Sequence, residues 1–426
     1  MNQKIKNRIE AVRQGEVPDG YVKEYCLLPN DWETVSLDRI AKKVYQKNKT
    51  GENIAVLSNS AIRGVVFQRD YFEKDIANEE NTDGYFVVEP KDYIYNPRIS
   101  VHAPFGPINK NNLGCKGIVS PLYTVFRSKN SEAMDEKYLE DFFSSTQWNR
   151  FVYTVSNQGV RFDRMNITDD DFFHMPIVVP PLAEQQKIAE ILATCDRVIG
   201  LKQQLLEGKR RQKQWLMQKL LLESSGVNEV PLSELCSTIC DGDWIESKDQ
   251  SESGIRLIQT GNVGVGKYLD KDGRARYISQ ETFENLRCTE VFAGDVLLSR
   301  LPDPIGRACM IPDLSVRAIT AVDCTILRFK EAAVAEFFLQ YATSSEYFNK
   351  IAILAGGSTR TRISRKEIEK LSIPIPANKM TMQKISNGLS LADKEVAMLE
   401  QELEAWQKKK KALMQLLLTG LVRVNV

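Results

Sequence analysis

The sequence is short of the residues on which many hydrolases depend. Only two histidines, His102 and His174, occur among 426 residues, which excludes most zinc hydrolases and argues against acid–base catalysis by histidine. The eight cysteines include no Cys-x-x-Cys pair, so we expect reduced thiols and neither a disulfide framework nor a metal site. No apolar run approaches the ~20 residues that span a bilayer, and the N-terminus lacks a signal-peptide core. We therefore expect a cytoplasmic protein without a membrane partner.

Motifs for nucleotide binding and methyl transfer are also missing. Residues 261–267 almost spell a P-loop, but Tyr268 stands where a serine or threonine must hold magnesium. Asn96-Pro97 is followed by Arg98, whereas a DNA-adenine methyltransferase needs a second proline and an aromatic residue to hold the flipped base. His-Glu-x-x-His and Gly-x-Ser-x-Gly do not occur. These absences predict a protein without catalytic residues and without a cofactor.

Length and composition are those of a globular protein with at least two domains. Hydrophobic residues make up 42% of the 426 residues and charged residues 27%, which argues against disorder. The formal net charge of +1 neither supports nor excludes a nucleic-acid partner, because a neutral chain can carry a basic face.

Internal duplication is the most informative feature of the chain. Gln186–Ile188 recurs as Gln383–Ile385, 197 residues later, and Leu216–Gln218 recurs as Leu413–Gln415 at the same offset. Upstream, weaker matches at offsets near 200 residues pair segments such as Thr124–Arg127 and Thr325–Arg328. The order of variable half, long element, variable half, long element indicates two half-molecules in one chain.

Each long element is predicted to be a helix. Pro180-Pro181 precedes the first, where proline suits the start of a helix, and glycines at 226 and 420 follow the two segments. Apolar residues recur at helical spacing over 188–221 and 385–417. At about 40 residues, each helix would be roughly 60 Å long. Such a helix needs a partner for its apolar stripe, and its own copy is the natural one, in an antiparallel or crossing pair.

The variable halves are predicted to be mixed α and β. Apolar or β-branched runs lie between turn signals, and a helix is expected near 136–151 and near 332–350. A short helix is also expected within residues 1–23. The predicted strands are Ile54–Leu57, Tyr85–Val88, Leu122–Phe126, Ile255–Ile258, Asp295–Leu298 and Cys324–Leu327.

In this layout the chain resembles the DNA-specificity (S) subunit of type I restriction–modification systems. The resemblance covers essentially the whole chain. It is specific because two copies of the motifs occur in the same order. The matching segments are Pro180–Ile188, Leu257–Val263, Gly294–Arg300, Gly357–Ser364 and Ile373–Pro376.

The resemblance implies an α+β fold with a pseudo-two-fold repeat, in which two long helices pack as an antiparallel coiled coil. It divides the chain into an N-terminal helical segment (1–23), a first target-recognition domain (24–180), a central conserved helix (181–225), a second target-recognition domain (226–376) and a C-terminal conserved helix (377–426). The second helix departs from the pattern, because residues 377–382 lack the second proline and the glutamate of the first copy.

The resemblance also implies partners. Each target-recognition domain would read one half of a split site in double-stranded DNA, and the paired helices would set the spacing. Two methyltransferase subunits would bind, and motor-endonuclease subunits could join. A helix pair of the predicted length is able to hold two readers about one turn of DNA, ~34 Å, apart.

Arginine and lysine side chains are the candidates for DNA contact, either to phosphate or to base edges. Any one of them could equally serve as a solvated surface charge, and the Gly357–Arg362 segment is the strongest group. The candidates are Arg63, Arg98, Lys110, Arg161, Arg164, Lys267, Arg274, Arg276, Arg300, Arg307, Arg360 and Arg362.

Two basic runs, Lys209–Lys213 and Lys408–Lys411, occupy matching positions in the long helices. They could form a solvated face, follow DNA along the helix pair or meet an acidic partner. Glu400, Glu402 and Glu404 precede the second run and could neutralise part of its charge.

Two other functions stay open at this stage. A coiled-coil adaptor that binds proteins instead of DNA would share the long helices, and its binding would not depend steeply on salt. A fragment of a fused restriction enzyme is the third possibility, although the Met1 start leads us to expect a separate subunit. Divergence between the two variable halves favours DNA reading, because two half-sites need not be alike.

Overall fold

The computed structural model describes residues 3–23, 26–49, 54–71, 82–129, 132–156, 163–222, 226–356 and 361–426. The chain divides into two units. The first unit comprises Met1–Leu201 together with Leu403–Val426, and the second comprises Lys202–Glu402. Each unit therefore contains one globular half and a part of both long helices.

The elements of the first half follow in chain order. They are α1 (Gln3–Arg13), β1 (Tyr21–Lys23), β2 (Leu27–Pro29), β3 (Glu33–Ser36), α2 (Leu37–Ile40), β4 (Ala41–Lys43), β5 (Leu57–Ser60), β6 (Gly64–Phe67), α3 (Gln68–Tyr71), β7 (Phe86–Val88), β8 (Tyr93–Tyr95), β9 (Ile108–Lys110), β10 (Gly117–Val119), β11 (Thr124–Ser128), α4 (Glu136–Ser144), α5 (Asn149–Val155), α6 (Asp169–Phe173), β12 (Pro176–Val179) and α7 (Leu182–Met217), which continues as a π-helical turn over Gln218–Leu222.

The second half begins with a strand that follows α7. Its elements are β13 (Val227–Pro231), α8 (Leu232–Leu235), β14 (Cys236–Asp241), β15 (Gln250–Ser251), β16 (Ile255–Ile258), β17 (Arg276–Ile278), α9 (Gln280–Leu286), β18 (Glu290–Val291), β19 (Val296–Ser299), β20 (Ala308–Met310), β21 (Ala318–Thr320), β22 (Cys324–Phe329), α10 (Ala332–Tyr341), α11 (Ser345–Leu354), α12 (Arg365–Lys370), β23 (Ser372–Pro376) and α13 (Lys379–Leu418).

The central sheet of the first unit has the antiparallel order β4-β11-β8-β9. Aromatic side chains on its inner face build the core: Tyr93 stacks on Phe126 at 5.3 Å and Tyr95 stacks on Phe172 at 4.8 Å. Such pairs each add about 0.5–1.5 kcal/mol beyond area burial. The start of α7 seals this core, because Ile188 and Leu192 are fully buried within it.

The second unit repeats this arrangement. Its central sheet has the order β14-β22-β19-β20, and a two-stranded pair, β13 with β23, corresponds to the pair β3 with β12 in the first unit. The repeat thus extends through the halves whose sequences have diverged. The predicted α+β fold with an internal duplication is confirmed.

Two details of the sequence-based prediction were wrong. The helices expected near 136–151 and 332–350 are each two helices, α4 with α5 and α10 with α11. The chain turns over residues 145–148 between the first two and over 342–344 between the others, where the Ser344 hydroxyl caps α11 by accepting the Tyr347 N–H. The strand expected at Ile54–Leu57 lies later, at β5, whose polar residues are buried because they are hydrogen-bonded.

The two long helices run antiparallel within each unit. In the second unit, Lys202 pairs with Glu402 at 2.6 Å and Lys209 pairs with Glu395 at 2.7 Å. Later residues of α7 therefore contact earlier residues of α13. The predicted antiparallel packing is confirmed.

One ion pair of the helices is duplicated. Asp196 pairs with Lys410 in the first unit, and Lys213 pairs with Asp393 in the second. The two aspartates are 197 residues apart, and so are the two lysines. The basic runs of both helices therefore serve in large part to pair with acidic residues of the helices themselves. Of the three glutamates before the second run, Glu404 pairs with Lys408 in its own helix, whereas Glu400 and Glu402 reach across to α7.

The N-terminal helix α1 forms as expected, but none of its residues is buried. Its Arg8 guanidinium lies 5.4 Å from the ring of Tyr21. Among the described residues, no helix combines the length and apolarity that a bilayer crossing requires.

Asp141 of α4 is a buried carboxylate beside the helix pair. It is 1% exposed, 3.2 Å from Lys137 Nζ, and burial raises its pKa to about 6 from an ordinary value of 3.8. The folded state thus holds this proton more tightly than the unfolded chain. The preference of the folded state for the protonated carboxyl adds fully to the unfolding free energy below pH ~4. This addition is lost as the pH rises through about 6.

We expect Asp141→Asn to remove this pH-dependent loss of unfolding free energy. Relative to the wild type, the variant should gain up to about 3 kcal/mol of unfolding free energy between pH 4 and pH 8. Urea denaturation at several pH values measures the difference. Asp170→Asn, which alters an exposed aspartate of the same unit, is the control and should leave the profile unchanged. If the unfolding free energies of the wild type and Asp141→Asn changed with pH in the same way, the raised pKa of Asp141 would be contradicted.

Candidate nucleic-acid interface

In the second unit, three of the segments that carry the family resemblance meet at one edge of a sheet. Strands β16 and β21 are parallel neighbours, with Arg256 opposite Ala318, so their carboxyl ends lie side by side. The segments 259–263 and 321–323 follow these two ends. We call the set 259–263, 300–307, 321–323 and 361–363 the loop edge of the second unit.

Hydrogen bonds hold these segments together. The Arg362 guanidinium lies 3.3 Å from an Asp323 carboxylate oxygen, and the Ile363 N–H donates to the Arg300 carbonyl. Arg300 itself donates to Asp241 Oδ2 at 2.7 Å and to the Val322 carbonyl at 3.1 Å. The loop edge is therefore a built surface and not a set of independent loops.

Two of the candidate arginines are internal parts of that surface. Arg307 donates from Nε to the Val263 carbonyl, from Nη1 to those of Leu301 and Pro304, and from Nη2 to that of Thr260. Arg300 and Arg307 are both buried. Because both side chains are buried and both Nη atoms of each bind the protein, we leave both out of the DNA contacts that we propose.

A basic pocket of about 430 Å³ opens beside the loop edge. Arg274 and Arg276, which the sequence singled out, line it together with two residues that sequence reasoning missed, Arg256 and Lys271. Arg256 is buried at the pocket wall, 3.4 Å from Asp270 and from the Tyr277 hydroxyl. The interruption of the apolar run Ile255–Ile258 by an arginine was the signal available in the sequence.

The first unit has an equivalent edge. An isolated parallel bridge joins Val56, just before β5, to Ile118 of β10, as β16 joins β21 in the second unit. A cleft of about 430 Å³ lies at the ends of β5 and β10, and Arg98, Gln68, Tyr123 and His102 are among its lining residues. Arg98 also forms a bridge with Arg164, so the structure brings these two candidates together.

Asparagine side chains form the floor of this cleft. Asn59 donates to the carbonyls of Ile94 at 2.6 Å and Pro107 at 3.0 Å, and its own Oδ1 accepts from Asn109 at 2.7 Å. Asn96 donates to the Asn59 carbonyl at 3.2 Å. The network fixes the cleft, and none of these asparagines was anticipated, since single asparagines give no periodic signal.

The remaining candidates differ in accessibility. Arg63, in the β5–β6 turn, and Lys267 are exposed. Lys110 is turned inward: its side chain is 9% exposed, and its Nζ donates to Glu136 at 3.1 Å and holds the pKa of that carboxyl below its usual value. We leave Lys110 out of the proposed contacts as well. Arg161 and Arg360 lie outside the described residues.

Comparison with known proteins gives one family. The family model described as "Type I restriction modification DNA specificity domain" matches twice, at residues 29–208 and 224–405. The type I restriction enzyme MjaVIII specificity subunit of Methanocaldococcus jannaschii is 25% identical over 422 residues, which cover 93% of this chain and 94% of that protein. A putative type I restriction enzyme specificity subunit, MjaX, from the same organism is 26% identical over 439 residues, with coverage of 93% and 95%.

Solved structures agree on the fold. A chain from a study of complex assembly and conformational transition of the type I R-M system superposes with a TM-score of 0.59 at 17% identity, covering 93% of this chain and 99% of that chain. The S subunit of a type I restriction–modification system from M. genitalium superposes with a TM-score of 0.52 at 13% identity, with coverage of 93% and 96%.

Proposed function

The chain belongs to the family of type I restriction–modification DNA specificity subunits, and from that premise we propose that each unit reads one half of a split DNA site. Subunits of this family recognise DNA and are not themselves catalytic. The observation that carries the proposal is the duplicated edge. The same sheet edge recurs in both units, but it is lined by amides and Arg98 in the first and by four cationic side chains in the second.

Different linings on one scaffold suit two unlike half-sites, since base contacts specify while phosphate contacts position. In the first unit, we propose Arg63, Arg98 and Arg164 as DNA contacts, with Arg161 still a prediction. In the second unit, we propose the set Lys267, Arg274, Arg276 and Arg362, with Arg360 still a prediction.

We further propose that α7 and α13 set the spacer between the half-sites and bind two methyltransferase subunits, to which motor-endonuclease subunits add. Both helices contribute residues to both units, which supports a role in spacing. Their exposed apolar side chains are the residues that we propose for docking, since burial against a partner would remove them from water. These side chains are Leu182, Leu201, Leu205 and Trp215 on α7 and Met380, Leu391 and Met398 on α13. The proposed location is the cytoplasm.

A map of methylated adenines tests the proposal. Cells that express this chain with its neighbouring methyltransferase are compared with cells that lack only this chain. We expect a split motif that disappears with the chain. An unchanged map, with the methyltransferase shown to be active, would contradict the proposal.

A chimera tests the assignment of one half-site to each unit. When the first globular half is exchanged for that of a relative, only one half of the methylated motif should change. A change in both halves together would rule out independent reading. Binding of the purified complex should also weaken steeply as salt rises, whereas a protein-binding adaptor would be nearly insensitive.

A further inference from the structure

The basic pocket of the second unit has an unusual balance of hydrogen-bonding groups. Its charged lining consists of Arg256, Lys271, Arg274 and Arg276, all of which donate and none of which accepts. Lys271, Arg274 and Arg276 are exposed at its mouth, and Arg256 is buried in its wall.

The two amide side chains of the lining are already engaged within the protein. Asn262 Oδ1 accepts from the Gln259 N–H at 3.0 Å, and Asn262 Nδ2 donates to the Leu269 carbonyl at 2.9 Å. The Gln259 side chain in turn accepts from the backbone of residue 262, which completes a capping box. These bonds already engage the Asn262 amide and the Gln259 acceptor within the protein.

The pocket is also open to close approach. Gly261 lies on its rim, and a Cβ at this position would stand 3.2 Å from Lys271 Nζ. Glycine itself places no side chain at this point of the rim, beside the lysine nitrogen.

Such a pocket selects a ligand edge that only accepts hydrogen bonds. In the major groove, adenine and cytosine each present an amino donor, which none of the four cationic side chains can receive. Thymine presents a single acceptor, O4, beside its methyl group, whereas guanine presents two acceptors, N7 and O6, side by side. The planar guanidinium groups of Arg274 and Arg276 suit the bidentate contact that guanine allows. A DNA phosphate shares the acceptor-only chemistry, but it lies on the ridge of the duplex and needs no cavity.

We propose that this pocket is the base-reading site of the second unit and that it requires a guanine in the second half-site, with Arg274 and Arg276 as the residues that determine specificity. The inference rests on the proposed function, since it assumes that the second unit reads DNA. It goes further by naming the base and the side chains.

The test uses the full chain with its methyltransferase and the variants Arg274→Ala, Arg276→Ala and Arg276→Gln. In the methylation map, each alanine variant should keep the first half-site and the spacer while one guanine of the second half-site becomes degenerate. Binding to the original duplex should fall roughly 10- to 100-fold, with less loss on duplexes changed at that base. Arg276→Gln should favour adenine there, because glutamine pairs with its N6 and N7.

Arg317→Ala is the matched control. This arginine precedes β21, at the end of the strand away from the loop edge, where it pairs with Glu290 at 2.8 Å. It should leave the motif unchanged. An intact first half-site in each variant shows that the chain is folded and active.

The outcomes separate the two levels of inference. If the wild type shows no split motif, the proposed function itself fails. If the motif is split but the pocket variants lose affinity equally on all sequences, with a smaller salt dependence, the pocket binds phosphate and the guanine assignment is overturned. A second half-site that contains no guanine, or variants that change nothing, overturns it as well.

Discussion

Replacing Arg423 with alanine is expected to lower the unfolding free energy of the first unit by about 3 kcal/mol. The Arg423 guanidinium donates to both carboxylate oxygens of Glu184 at 2.7 Å, and it also contacts both oxygens of Asp31 at 2.7 and 2.8 Å. Glu184 is 2% exposed. Without Arg423 it would be a buried charge whose remaining donor shown in the structure is Trp32 Nε1, at 3.0 Å. Because the hydrogen bond from Trp32 remains, the expected loss of unfolding free energy lies at the lower end of the range for a broken buried ion pair.

The melting temperature of the first unit should fall by roughly 6–12 °C. Arg13→Ala is the control, because its contact with Glu10 at 3.8 Å joins two exposed side chains and contributes little. The double variant Arg423→Ala/Glu184→Gln should recover part of the loss, since no buried charge is left behind. A melting temperature for Arg423→Ala equal to that of the control would contradict this account.

This cluster also explains a sequence motif. In the first helix, Glu184 anchors the C-terminal residues, and the amide of Gln185 donates to the carbonyls of Ala133 and Pro180, both at 2.8 Å. Both side chains are buried. The glutamate therefore acts inside the first unit.

Lengthening both long helices is expected to lengthen the spacer of the DNA site. Ion pairs Lys202–Glu402 and Lys209–Glu395 place Leu206 opposite Met398. Four helix-forming residues inserted after Leu206 and four after Met398 would add about 6 Å to both helices, at ~1.5 Å per residue. That is close to two base pairs at ~3.4 Å each. Both half-sites should stay the same, and the methylation map would show a longer spacer.

The control inserts four residues after Leu206 alone. This change displaces one part of α7 against α13 and separates partners such as Lys213 and Asp393. We expect it to weaken folding and methylation without giving a clean new spacer. A matched insertion that leaves the spacer unchanged would show that the helices do not set it.

Much of the architecture was predictable because it depends on periodic features. The in-register copies at 186–188 and 383–385 lie in helices that must bury one stripe, and burial of a stripe keeps its spacing. Strands such as β16 and β22 were found because they are apolar runs between turns. The β5 strand was misplaced because its buried residues are polar, and their hydrogen-bond partners come from distant segments.

The candidate contacts show the limit of charge as a signal. Arg274 and Arg276 line a pocket, whereas Arg307 donates hydrogen bonds to four backbone carbonyls. The sequence does not distinguish these three arginines. An arginine binds whatever acceptors the fold brings to it. Which acceptors these are depends on segments far apart in the chain.

The sequence by itself determined the duplication, the two long helices, the α+β class and the absence of catalytic motifs, because these follow from local periodicity and residue content. Only the tertiary structure decided which cations are available to DNA, that Glu184 faces inward toward Arg423, and that the basic runs pair across α7 and α13. The physical reason is that a buried charge or polar group needs a partner, and packing alone determines which distant residue supplies it.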